Sequence, residues 1–180
     1  MKKIVYAFLL FSGSVFSQNT TETPVVQQKV NLRHITGFHG IDVTAGLNKY
    51  GQQFSLGLTQ YESEKFMARI ILNSEFGKVN LTSYNTNTIF IELNHTLFKL
   101  KDAIFFNVGY GAVAGWETTS NEVLSNKTET LEYGLLVDVN AEIYLLNRLA
   151  LLMEFKEIWD NGSNLGAFRY YANTGIRFYL

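Results

Sequence analysis

The stretch from Phe168 to Leu180 alternates between two chemistries. Phe168, Tyr170, Ala172, Thr174, Ile176, Phe178 and Leu180 fall on one face of an extended chain. Arg169, Tyr171, Asn173, Gly175, Arg177 and Tyr179 fall on the other. Side chains of a β-strand point alternately to opposite sides, so this is a ribbon with one greasy side and one polar side. It runs to the last residue with no polar tail. A strand placed there needs pairing on both edges, or it invites aggregation. Closing a barrel removes every edge, and a barrel with an apolar exterior belongs in a bilayer.

The same period of two recurs along the chain, with turn residues between the runs. The runs are Ile41–Leu47, Phe54–Thr59, Phe66–Asn73, Ile89–Leu97, Ile104–Trp116, Leu131–Leu145, Leu149–Lys156 and Phe168–Leu180. Their even number suits a single-chain bacterial barrel. Hydrophobic residues make up 47% of the 180 residues, with 14 Phe and 10 Tyr. Beyond the first dozen positions, however, no apolar run approaches the ~20 residues of a membrane helix. The connections near 62–65, 99–102 and 146–148 are short, whereas those near 77–87 and 117–130 are longer and polar. Short periplasmic turns and longer outer loops are the habit of such barrels. The expected fold is an all-β, eight-stranded antiparallel up-and-down transmembrane β-barrel of the bacterial outer membrane. A lipocalin-like soluble barrel also explains the alternation.

The N-terminus has the layout of a secretory signal. Met1-Lys2-Lys3 starts positive, Ile4 to Phe11 is apolar, and Ser12 to Ser17 supplies small residues before Gln18. Residues 1–17 read as a cleaved signal peptide, 18–35 as a flexible periplasmic segment, and 36–180 as the barrel domain. The chain contains no cysteine, which excludes a lipobox, disulfides and thiolate metal sites. The net charge is −1, with neither a basic stripe nor an acidic tail, so direct contact with nucleic acid is not expected.

Two groups of residues stand out. Aromatic rings sit at strand ends, where membrane interfaces would fall. Trp116, Tyr133, Trp159 and Phe168 lie beside the longer loops, and Phe66, Phe98, Phe105, Tyr144 and Phe178 lie at the opposite ends. The polar rows carry Asp42, Glu92, Glu132, Asp138, Glu142 and Glu154 against Arg69, Lys156, Arg169 and Arg177. An eight-stranded barrel has room inside for side chains but scarcely for a channel. Buried charges need partners, so these ten are expected to fill the lumen as a network of ion pairs.

Little in the sequence points to catalysis. The histidines are His34, His39 and His95. None stands at a spacing that pairs it with a serine or carboxylate on one strand face, as a lipid-modifying barrel enzyme would need. No His-x-His pair suggests a metal, and Gly109, Gly111 and Gly115 lie within a strand rather than in a phosphate-binding loop. No cofactor, metal or catalytic residue is assigned.

Four segments, in order, resemble a known family. They are Gly111-Ala112-Val113-Ala114-Gly115-Trp116-Glu117, then Glu142-Ile143-Tyr144-Leu145-Leu146-Asn147-Arg148-Leu149-Ala150-Leu151-Leu152, then Gly162-Ser163-Asn164-Leu165-Gly166-Ala167-Phe168, and Gly175-Ile176-Arg177-Phe178. Their order and spacing are similar to the conjugal transfer protein TraO family, carried on conjugative transposons of Bacteroidetes-type bacteria. That family has Tyr where this chain has Trp116, and Thr-Asp where it has Leu146-Asn147. The resemblance covers residues 36 to 180 and is strongest from 103 onward. It implies an outer-membrane barrel within a conjugative DNA-transfer apparatus, with other conjugation proteins and outer-membrane lipid as partners. It supplies no catalytic residues. A small housekeeping barrel for envelope support or surface binding is the other reading the sequence allows.

Overall fold

The computed structural model describes residues 34–121 and 126–180. The segments read as signal peptide and as most of the periplasmic stretch, 1–33, lie outside the described residues. From His39 onward the alternating runs become eight strands. These are β1 (His39–Asn48), β2 (Gly51–Ser63), β3 (Phe66–Val79), β4 (Thr82–Leu100), β5 (Ile104–Asn121), β6 (Asn126–Leu146), β7 (Leu149–Asn161) and β8 (Phe168–Tyr179).

Each strand pairs with its neighbours in sequence, and β8 pairs antiparallel with β1 to close the barrel. Closure leaves the body of the sheet without an edge, which is how a β-structure can sit in hydrocarbon. The alternation then sorts the side chains by chemistry. Along β8, Arg169, Tyr171, Asn173, Arg177 and Tyr179 are buried while Phe168, Tyr170, Ile176 and Phe178 are exposed. On β6, Glu132, Leu136, Asp138, Asn140 and Glu142 are buried, and Leu131, Tyr133, Leu135 and Val139 are exposed. The inversion, with charges inside and leucines outside, is that of a transmembrane barrel.

The two ends differ. One carries three short turns, β2–β3, β4–β5 and β6–β7. In the β4–β5 turn both central residues, Lys101 (φ 49°) and Asp102 (φ 50°), are left-handed, and Ala103 N–H donates to the Leu100 carbonyl at 3.0 Å. This is the type I′ geometry whose twist matches that of the strands. The register shifts just before each of these turns, at Tyr61/Ser63, Thr96/Phe98 and Tyr144/Leu146. Such a bulge adds a residue to one strand. Here it turns Leu97 with Phe98, and Leu145 with Leu146, outward side by side.

The other end is uneven. β4, β5 and β6 have 19, 18 and 21 residues against 10 for β1 and 12 for β8. β6 runs on past its last rung with β7, Tyr133↔Asn161, up to Asn126, and β5 and β4 stay paired beside it as a wall. The long connection expected near 77–87 is instead the two-residue turn Asn80-Leu81, and much of the stretch expected as a loop at 117–130 is strand. The physical reason is that Thr and Tyr favour extended backbone, and the polarity of these stretches marks exposure to water rather than the absence of a ladder.

Candidate functional site

The lumen is packed in layers. At the short-turn end, Tyr61, Met67, Phe105, Tyr144, Ala150 and Tyr179 form an apolar and phenolic cluster. His34 is inserted into it. Its ring stacks on Phe105 at 3.8 Å between centroids, and its Nε2 lies 3.3 Å from Glu142 Oε2. Gly37 N–H donates to the Tyr61 carbonyl at 2.7 Å, tying the segment before β1 to the rim.

The next layer is ionic. Arg177 grips Asp42 with two nitrogens, Nε to Oδ1 at 2.6 Å and Nη2 to Oδ2 at 2.8 Å. Its Nη1 donates to Glu142 at 2.9 Å and to the Tyr61 hydroxyl at 2.7 Å. Asp42 and Arg177 are register partners across the β1–β8 junction, so a bidentate pair lies on the seam that closes the barrel. Arg69 reaches Asp42 (3.1 Å), Glu92 (3.2 Å) and, through Nη2, Glu154. Asp138 stands 3.7 Å from the same guanidinium. Lys156 pairs with Glu92 and lies 3.7 Å from Glu154.

Above this lies a second apolar layer, Ile71, Phe90, Val113, Leu136, Ile158 and Tyr171. Lys156 Nζ sits 5.6 Å from the centre of the Phe90 ring, where a cation is attracted to the π face. A second ionic group fills the tall end. Arg169 donates to Glu132 at 2.8 Å, to Glu75 at 3.3 Å and to Asp160. Tyr171 also donates to Glu75 at 2.6 Å. Glu117 accepts Ser163 Oγ (2.6 Å) and the backbone N–H of Asn164 (3.1 Å), which holds the β7–β8 loop down.

Thus the structure places Asp42, Arg69, Glu92, Glu132, Asp138, Glu142, Glu154, Lys156, Arg169 and Arg177 all inside, in two groups separated by an apolar layer. Glu75, Glu117 and Asp160 join them and were not singled out in the sequence. They lie on the inward parity of β3, β5 and β7, one to four residues beyond the runs read there, so extending the alternation would have found them.

Among the ring residues, Trp116, Tyr133, Trp159, Phe168 and Phe178 are outward and 42–68% exposed. Tyr144 and Phe105 are corrections. Both are buried, because each has the inward parity of its strand. The Tyr144 hydroxyl donates to that of Tyr179 at 2.7 Å, and its ring meets Phe105 edge-on at 5.5 Å. At the end of the stretch expected to be flexible, His34 is instead buried, only 2% exposed. His95 lies outside against Phe66, with centroids 5.7 Å apart, and His39 opens β1 opposite Gln60. The structure does not bring the three histidines together. Among the described residues, no group of three or more His, Asp or Glu is placed to hold a metal ion.

Solved structures share the architecture. The N-terminal barrel domain of Pseudomonas aeruginosa OprF superposes with a TM-score of 0.64 at 8% identity, over 81% of this chain and 98% of that one. Neisserial surface protein A gives 0.65 at 11%, over 79% and 97%. The attachment invasion locus protein Ail of Yersinia pestis gives 0.52 at 11%, over 80% and 100%. At these identities the likeness is one of fold. No functionally curated protein matches the chain. The family described as conjugative transposon protein TraO matches residues 32–180, which takes in every strand.

Proposed function

The chain belongs to the family of conjugative transposon proteins TraO, and from that premise we propose that it is an outer-membrane component of a conjugative DNA-transfer apparatus that works through protein contacts. The observation that carries this reading is the family match across the whole barrel. The apolar exterior supports a bilayer location, with outer-membrane lipid around it. The lumen supports a structural role over transport. Arg69, Arg177, Lys156, Tyr61, Phe90 and Tyr171 are each no more than 2% exposed within it, so it is occupied by its own side chains. Duplex DNA, whose grooves alone are ~6–12 Å wide, does not fit through such a barrel.

What remains for partners is the outside of the two ends. The β4–β6 wall is the larger candidate, because it projects polar side chains such as Ser120, Lys127 and Glu129 beyond the last rung that β6 shares with β7. Catalysis is not part of the proposal. The test is deletion of the gene from its mobile element, followed by complementation with wild type and with a version whose β5–β6 hairpin is shortened. Transfer should fall on deletion, return with wild type, and stay low with the short hairpin although the barrel is made. Undiminished transfer in the deletion would remove the conjugative role. Export rests on residues 1–17, and mass spectrometry of the mature protein should find Gln18 at its N-terminus.

A further inference from the structure

The outward row of β7 reads Leu149, Leu151, Met153, Phe155, Glu157 and Trp159. Glu157 is partly exposed there and shares its rung with two more outward side chains, Val137 of β6 and Tyr170 of β8. The next outward pair toward the tall end is Trp159 with Phe168, so the carboxylate stands inside the aromatic ring, on the apolar belt. The outward rows of β8, of β1 from Ile41 to Leu47 and of β6 from Leu131 to Leu145 carry no charge. A charge facing hydrocarbon destabilises a barrel, more so with depth, and ionisable side chains kept in a membrane ordinarily have a partner. This chain supplies none. The Glu157 side chain makes no hydrogen bond or ion pair with a described residue. Lys156, Arg169 and Arg177 are buried in the lumen, and Arg148 lies in the β6–β7 turn at the other end. Lys49, just past β1, is turned to Tyr50, with Nζ 5.0 Å from the centre of that ring.

We propose that the face of β7, β8 and β1 around Glu157 is a contact surface within the membrane for a different protein that presents a lysine or arginine on an otherwise apolar surface. Partners in water are left with the two ends, but a partner in the membrane meets the side of the barrel. Charge complementarity selects the occupant, because a carboxylate in a low dielectric gains strongly from a cation brought against it. A second copy of this chain does not fit, since among the described residues no lysine or arginine stands on an outward row of the belt. The shape agrees with the charge. Ala172, opposite Phe155, and Ala45, opposite Thr174, keep the surface beside Glu157 low. Thr174 donates its hydroxyl to the Leu152 carbonyl at 3.2 Å, so it needs no outside partner. Small residues let another backbone come close within a membrane. The inference rests on the barrel lying in a bilayer and not on the conjugative role.

The experiment places the photo-crosslinker p-benzoylphenylalanine at Ala172, in cells that carry the whole mobile element. Ala112, exposed on β5, takes it as the control position. Irradiation should join the Ala172 position, and not the control, to one protein. Glu157→Lys should weaken that band by about tenfold or more, because like charges then meet. Glu157→Gln, which removes the charge without reversing it, should weaken it less. Both barrels should still shift in mobility on heating. Mass spectrometry then identifies the captured protein. Changing its basic residue nearest the crosslink to Glu should weaken the band with wild type and restore it with Glu157→Lys. A band of unchanged strength in both folded Glu157 variants overturns the proposal. So does capture of nothing, of lipid alone, or of a second copy of this chain. A charge-dependent band alongside undiminished transfer in the gene deletion removes the conjugative role and keeps this surface. Transfer that needs the gene, with a band indifferent to Glu157, does the reverse.

Discussion

At the scale of single residues, the lumen is where one side chain matters most. Arg69 holds Asp42, Glu92 and Glu154 around one guanidinium. Replacing it with Met keeps much of the volume but strands carboxylates in a place without water. Breaking a buried ion pair in this way costs about 3–5 kcal/mol, so Arg69→Met should lower the urea midpoint of the vesicle-embedded barrel markedly. Adding Asp42→Asn, Glu92→Gln and Glu154→Gln to that variant should restore part of the loss, because the stranded charges are then gone. Tyr144 gives a smaller test. Its hydroxyl bonds to Tyr179 inside the barrel, so Tyr144→Phe should cost about 0.5–1.5 kcal/mol in the same assay. An unchanged midpoint would return Tyr144 to the lipid interface.

At the scale of elements, the turns and the wall behave differently. Lys101 and Asp102 both adopt positive φ in the β4–β5 turn, which costs an L-residue roughly 1–2 kcal/mol each. Lys101→Gly relieves that strain at an exposed site and should raise stability by up to about 1 kcal/mol, measured by urea unfolding. The wall of β4, β5 and β6 contributes to contacts rather than to closure. On its β6 side the outermost residues, such as Thr128 and Asn126, pair with β5 alone and have no partner in β7. Shortening that hairpin should therefore leave the barrel's urea midpoint nearly unchanged while transfer falls. A matching loss of folding would show that the wall is part of the scaffold.

For the whole molecule, closure and filling set what can be observed. An eight-stranded barrel held by a continuous ladder resists detergent until heated, so boiled and unboiled samples should migrate differently on electrophoresis. With two apolar and two ionic layers across its axis, the barrel should show no stable ionic conductance in planar bilayers. Discrete open-channel steps would contradict the filled lumen. The Asp42–Arg177 pair belongs to this scale as well, since it joins the first and last strands. Replacing Arg177 should slow closure more than loss of any other single lumen cation, as measured by the rate at which the heat-modifiable band appears during refolding.

Much of this was legible in the alternation alone. A strand has a side-chain period of two, so parity by itself sends Arg69, Asp138 and Arg177 to one face and Ile70, Val139 and Phe178 to the other. Parity even held where a functional reading set it aside. Tyr144 and Phe105 stand on inward rows, and only the habit of placing rings at interfaces moved them outside. The sequence therefore determined the strand count, the barrel and the greasy exterior, because these follow from local chemistry repeated along the chain. Three things needed the tertiary structure. Which charge meets which depends on register and on how eight strands wind around an axis, so the convergence of Glu154, from β7, on Arg69, from β3, has no signature in spacing. The wall was hidden because polar strands beyond a membrane look like loops. His34 was hidden because a segment that is polar and irregular in sequence becomes fixed only when a barrel mouth lined by Tyr61, Phe105 and Tyr144 exists to receive it.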